Sequence, residues 1–279
     1  MEKIKIAKNT NKTEHHTHPR NIPNQDCQVS FFNGFNHVSI IVDGMGGHEG
    51  GHIAMKVIKN ALSKELRSIN LNQSSAEIVQ EISRVVNNVQ QEVVVKVPEY
   101  GGAAVTFAII QTDGTLIIAS MGDTRAYIIS EYGKVQPATI DNISGYFVTS
   151  LAQVKKLRGK DAFALDSLVK EPDSEILDVK FDRRNIVKNV FMAHPSNIIE
   201  PGITILKTRK GDSILLTTDG VHDNLTTREI GIALKKGGVR ELVLTALERS
   251  KDSLHIRSKK DDITASLHNI LIQKVKLGS

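Results

Sequence analysis

The chain has 279 residues, 40% of them hydrophobic, enough for a sizeable core in one or two domains, and no apolar run nears the ~18 residues of a membrane span. Its 36 basic and 31 acidic residues are dispersed and leave a formal charge of +5, which favours acidic or phosphorylated partners; few aromatic residues and no Trp argue against single-stranded nucleic acid. A lone cysteine, Cys27, excludes an internal disulfide and fits a reducing cytoplasm, and the polar stretch from Met1 to Arg20 lacks a signal-peptide core.

In chain order, residues 1–19 read as a polar segment, with His15-His16-Thr17-His18 expected to be solvated. Residues 27–32 and 37–42 are short β-type runs around Asn33-Gly34, a hairpin signal. From Ile53 the residues Val57, Ile58, Ala61, Leu62 and Leu66 recur at helical spacing. A second helix follows, with Ile78, Val79, Ile82, Val85, Val86, Val89 and Val93 on one face. Strands are expected at 105–111, 116–120 and 126–130, joined by turns at Thr112-Asp113-Gly114 and Met121-Gly122-Asp123-Thr124. Residues 141–188 have no clean period and read as an irregular insertion. Strands return at 203–206 and 213–218, helices at 227–235 and 240–250, and a last strand at 263–272. Paired strands, helices, then strands and helices again point to α+β with antiparallel sheets.

The glycine-rich stretch "VDGMGGHEGG" directly follows an apolar strand. No Gly-Lys-Ser/Thr closes it, so it is not a P-loop, and Glu49 stands where a dinucleotide fingerprint needs its third glycine. What remains is a carboxylate, Asp43, at a strand end, followed by glycines that let the backbone approach something closely. A bound cation and a plain Asp-Gly turn are both open readings of that stretch. Further carboxylates share the placement: Asp26 before the first strand, Asp123 in a strand-to-strand turn, Asp219 after an apolar strand, and Asp261 with Asp262 before the last one. Each alone is an ordinary turn aspartate. Gathered on one edge by antiparallel topology, they would suit a hard, oxygen-preferring cation such as Mg²⁺ or Mn²⁺.

The ordered series "NQD", "DGMGGHEGG", "GGAAVTFAI", "ASMGDTRAYI", "GDSILLTTDGVHDNL" and "DDIT" resembles the metal-dependent protein phosphatases of the 2C type, bacterial ones in particular, from about Arg20 to Ile272. The resemblance implies a single phosphatase domain over residues 1–279, with 141–188 as the variable flap. The implied fold is a central β-sandwich of two antiparallel sheets flanked by pairs of helices, a four-layer αββα arrangement. It also implies a serine/threonine phosphatase with Mg²⁺ or Mn²⁺ as cofactor, two core ions and a weaker third. Carried over by position, Asp43 bridges two ions and the carbonyl of Gly44 ligates one of them. Asp219 and Asp261 complete the first ion, Asp26 serves the second, and Asp123 and Asp223 match the weaker third. Asp43, Asp219 and Asp261 are thus the catalytic carboxylates, and Arg20 is the candidate grip on substrate phosphate, although it lies six residues ahead of Asp26. Met45 stands where some members have a histidine, His48 is the nearby one, Gly102-Ala103-Ala104 lacks the usual hydroxyls, and Asp262 replaces a common Asn. Expected partners are phosphorylated proteins, among them a Ser/Thr kinase or its substrates, with neither nucleic acid nor membrane, for a cytoplasmic monomer. The alternative reading is a catalytically weak, phosphatase-like module that binds a phosphorylated partner.

Overall fold

Along β3 (Asn36–Met45), side chains alternate between two cores, as the two-residue period of a strand requires. Val38, Ile40 and Val42 pack with the first two helices, whereas Ile41 packs against a second sheet. In this computed structural model, which describes residues 13–20, 23–142, 187–194, 198–255 and 257–270, that alternation organises the whole molecule.

One sheet has the order β2-β3-β4-β5-β9, with β2 Asp26–Asn33, β4 Gly102–Ile110, β5 Thr115–Met121 and β9 Gly202–Lys207. A two-residue strand, β8 (Phe191–Met192), pairs with the start of β4. The other sheet has the order β1-β11-β10-β6-β7, with β1 Thr13–His18, β6 Arg125–Ile129, β7 Val135–Pro137, β10 Ser213–Thr217 and β11 Ile263–Asn269. All pairings are antiparallel. Helices α1 (Gly47–Ser68) and α2 (Ser75–Lys96) cover the first sheet through Ile58, Leu62, Leu66, Ile82, Val86 and Val93, all fully buried. A one-turn α3 (Asp219–His222) and α4 (Thr227–Lys251) cover the second through Val221, Ile230, Leu242 and Val243. Between the sheets lie Ile41, Ala108, Ile118, Ile214 and Leu216. These are the four layers expected.

Local chemistry explains the boundaries. Ser74 and Thr226 each begin a helix with a reciprocal capping box, to Glu77 and Glu229 respectively. The two helices expected at 227–235 and 240–250 form one run broken at Gly237 and Gly238, the latter at φ 67°. The expected solvated run His15–His18 instead belongs to β1, an edge strand whose six residues register against β11. From Glu14 to His18 its side chains alternate between half-buried and exposed, so this stretch is solvated on one face only. Most of the expected flap lies outside the described residues, which include only its ends at 141–142 and 187–188. No described helix is long and apolar enough to cross a membrane.

The gap between the sheets also holds a polar seam. His268 of β11 is fully buried, its Nε2 within 2.6 Å of Ser39 Oγ and 2.7 Å of Ser266 Oγ, and its ring lies 4.9 Å from that of His37. Burial pushes His268 down to about 3 and His37 to about 4, so both rings are neutral in the fold. Below pH 6.5 the unfolded chain therefore takes up a proton at position 268 that the folded chain excludes, and stability is lost as pH falls. Replacing His268 with Gln should cost stability at pH 7.5, and that deficit should shrink by ~1.4 kcal/mol per pH unit between about 6.5 and 4. Paired urea unfolding curves in EDTA check this. A deficit independent of pH would mean that His268 is not held neutral.

Candidate active site

The alternation that builds the core also aims the carboxylates. Asp43 has the same strand parity as Ile41 and so faces the gap between the sheets, at the end where the sandwich opens. Its cross-strand partner is Asp26. From the other sheet Thr218, just beyond β10, donates its hydroxyl to Asp26 Oδ2 at 2.8 Å and accepts from the Thr264 amide at 3.0 Å. That bond ties the two sheets together at the site and fixes the Asp26 carboxylate. Asp262 does the same for the chain entering β2: its Oδ1 accepts from the Arg20 amide at 2.5 Å and its Oδ2 from the Gln25 amide at 3.0 Å.

The gap opens as a cleft of about 340 Å³ lined by Asp43, Gly44, Met45, Asp123, Asp219 and Asp261, with Ala104, Arg20, Lys259 and Lys260 among the other walls. Asp26 adjoins it through its pairing with Asp43, and Asp223 stands beside Asp219 at the end of α3. All the candidate residues read from the sequence thus gather at one place. Arg20 is at the rim, its guanidinium donating to the carbonyl of Lys260. The side chain of His48 lies outside what the structure describes.

The glycines have a more local explanation than a cation. A Cβ on Gly44 would stand 2.3 Å from the carbonyl oxygen of Gly51 and 2.9 Å from that of Gln25. The close approach that the sequence implied is between β3, the first turn of α1 and the segment entering β2. Gly46 sits at φ 114°, where a Cβ would also meet the Tyr100 carbonyl at 2.0 Å.

Concentrating these groups has an electrostatic consequence. Burial raises Asp26, Asp43 and Asp123 well above the usual carboxylate range, and neighbouring aspartates push each of them the same way. Asp219 is raised to about 6, again chiefly by burial, with Lys259 opposing. Lys259 is the residue that sequence reasoning missed. Its Nζ pairs with Asp219 Oδ2 and lies 3.3 Å from both Asp223 and Asp261. Burial alone would lower the lysine's pKa, but the surrounding aspartates outweigh it and raise the ammonium well above its ordinary value. In sequence, Lys259 belongs to a Lys-Lys pair that reads as solvated surface; its signal was the spacing, two residues before Asp261. A second missed pair is Arg125 and Asp141, which meet in two hydrogen bonds of 2.8 and 2.5 Å, both side chains buried.

The donor set suits a divalent cation in its chemistry: oxygen ligands only, negative charge in excess of one lysine, and a buried Asp219 Oδ1 with no hydrogen-bond partner. Among the described residues, no three His, Cys, Asp or Glu side chains form a closed ligand cage as they stand. Asp219, Asp223 and Asp261 converge on an ammonium instead.

The sequence profile of the family described as protein phosphatase 2C matches residues 14–271. The serine/threonine protein phosphatase PstP of Mycobacterium tuberculosis is 23% identical over 205 residues, covering 72% of this chain but 35% of that protein. The chain thus aligns with only about a third of that relative's length. The serine/threonine phosphatase stp of Listeria monocytogenes is 22% identical over 202 residues, 71% of each chain. Among solved structures, the S. agalactiae serine/threonine phosphatase superposes with a TM-score of 0.70 at 21% identity, covering 93% of this chain and 99% of that one. The catalytic domain of PstP in complex with two manganese ions gives 0.65 at 18% identity, over 94% and 98% of the two chains.

Proposed function

The chain belongs to the protein phosphatase 2C family, and on that premise we propose that it hydrolyses phosphoserine and phosphothreonine in proteins with the aid of Mg²⁺ or Mn²⁺. The observation that carries this reading is the gathering, in one cleft, of aspartates drawn from both ends of the chain and from both sheets. Asp43 would bridge two ions, with the Gly44 carbonyl and the carboxylates of Asp219 and Asp261 around the first and Asp26 beside the second. Asp123 and Asp223 would serve a weaker third. When bound, such ions lower the pKa of a coordinated water and neutralise charge on the phosphoryl oxygens.

The chain's own groups supply the rest. Thr218 holds Asp26 in one orientation, which limits how far that carboxylate can rotate away from Asp43. Asp262 anchors the backbone of Arg20 and Gln25, keeping the rim arginine beside the cleft, where its charge would orient a phosphate dianion. With a water activated in this way no covalent phospho-enzyme is required, and we read the reaction as direct hydrolysis. We read residues 1–279 as one phosphatase domain with 141–188 as its variable flap, acting as a cytoplasmic monomer on the products of a Ser/Thr kinase; the free Cys27 agrees with a reducing compartment.

Purified protein in Mn²⁺ should hydrolyse a phosphothreonine peptide and p-nitrophenyl phosphate and leave a nucleic acid intact. Cleavage of nucleic acid with the peptide untouched would overturn the substrate class. Tight binding of the peptide with no turnover would favour a binding module instead.

A further inference from the structure

Lys259 lies among the carboxylates that the proposed reading assigns to metal, and the fold holds its backbone there. The Lys259 amide donates to Asn224 Oδ1 at 2.9 Å, and Asn224 Nδ2 donates back to the Lys259 carbonyl at 2.9 Å and to the Gly220 carbonyl at 2.8 Å. Asn224 is fully buried, and Gly220 directly follows Asp219. The same side chain that fixes the turn carrying Asp219 therefore fixes the start of the lysine stem. From that anchor the ammonium reaches Asp219, Asp223 and Asp261 together, while the second oxygen of Asp219 is left buried without a hydrogen-bond partner.

We propose that Lys259 is a tethered counter-cation that occupies the Asp219–Asp223–Asp261 side of the cluster and has to withdraw before a divalent ion is held there. The proposal rests on the metal-dependent reading of the cleft. An ammonium and a divalent ion compete for the same oxygens, and two cations side by side repel one another. The lysine lines the open cleft and has a flexible four-carbon stem, so its head can swing out while Asn224 keeps its backbone in place. In the metal-free protein it balances buried negative charge and keeps the site assembled. Apparent metal affinity is then reduced by the fraction of time for which the lysine is withdrawn. Occupancy of the site would thus follow the divalent-ion concentration rather than saturate at low levels.

The test is Mn²⁺ titration by calorimetry, with thermal melts in EDTA and in Mn²⁺, on the wild type, Lys259→Met, Lys259→Gln and Lys259→Arg. Met keeps the apolar stem without the charge, Gln guards against a folding failure peculiar to Met, and Arg retains the charge. Lys259→Met and Lys259→Gln should bind Mn²⁺ at one site at least ~10-fold more tightly than the wild type. They should melt lower in EDTA and show a larger rise in melting temperature on adding Mn²⁺, whereas Lys259→Arg should stay near the wild type in affinity. A purely structural lysine would lower the EDTA melt without tightening Mn²⁺. Equal or weaker Mn²⁺ binding by both neutral variants overturns the proposal alone. The absence of Mn²⁺ binding by all four proteins overturns it together with the metal-dependent reading.

Discussion

Replacing Asp43 with Asn is expected to lower kcat on a phosphothreonine peptide by at least ~100-fold, the scale of losing one electrostatic stabiliser of a transition state. Asn keeps the shape of the side chain and removes the charge that the two-ion reading places between both metals. The fold should not suffer. Burial, and then Asp26, Asp219, Asp261 and Asp123, raise the Asp43 carboxyl far above its ordinary value. A carboxylate raised in this way makes the metal-free fold bind more protons than the unfolded chain, so at neutral pH its ionised form weakens stability. In EDTA at pH 7.5 the variant should therefore melt at or above the wild-type temperature, and the rise produced by Mn²⁺ should shrink. Activity within a few-fold of wild type would return Asp43 to the status of a turn residue.

The second large effect concerns stability. Asp141→Ala should cost ~3–5 kcal/mol, because it leaves the Arg125 guanidinium buried with its main charge partner removed. Arg125 is 2% exposed and Asp141 7%, so solvent cannot take over the lost interaction. For a chain of this size the melting temperature should fall by roughly 10 °C. Combining Arg125→Met with Asp141→Leu should recover most of the loss, since replacing both charges by apolar groups avoids the unpaired ion. Urea unfolding of Arg125→Met, Asp141→Leu and the double variant measures the coupling. A single-variant cost below ~1 kcal/mol would show that water or another group replaces the carboxylate.

How much of this could be read from the sequence depends on how local each signal was. The hairpin around Asn33-Gly34, the apolar faces of α1 and α2, and the strands β4 to β6 carry their periodicity within a few residues and form where expected, although α1 begins at Gly47, six residues ahead of Ile53, and takes in part of the glycine stretch. Strand β1 does not: Thr-Glu-His-His-Thr-His has no apolar alternation, and its strand character comes from pairing with β11, some 250 residues away. Strands β7 and β8 are too short to show a period, and Pro137 ends the former at the sheet edge. In the site, Asp26, Asp43, Asp123, Asp219 and Asp261 were legible as a set because each adjoins a strand end, whereas Asp223, at the end of α3, came only from the resemblance. Their electrostatic balance was not legible. Lys259 and the Arg125–Asp141 pair acquire their meaning from burial and from neighbours distant in sequence, and a charged residue in a turn reads the same whether it meets water or an ion pair. The reason for Gly44 was only partly legible, since sequence shows where the backbone can be approached but not that Gly51 and Gln25 approach it.

On the proposed reading, the cleft of aspartates is active only with divalent ions in place. The most direct measurement is phosphothreonine-peptide turnover by protein stripped with EDTA and then titrated with Mn²⁺. No turnover above background is expected after chelation and full recovery on adding Mn²⁺, with circular dichroism unchanged throughout because Lys259 holds the cluster together without metal. Undiminished turnover in the chelated protein would contradict that reading.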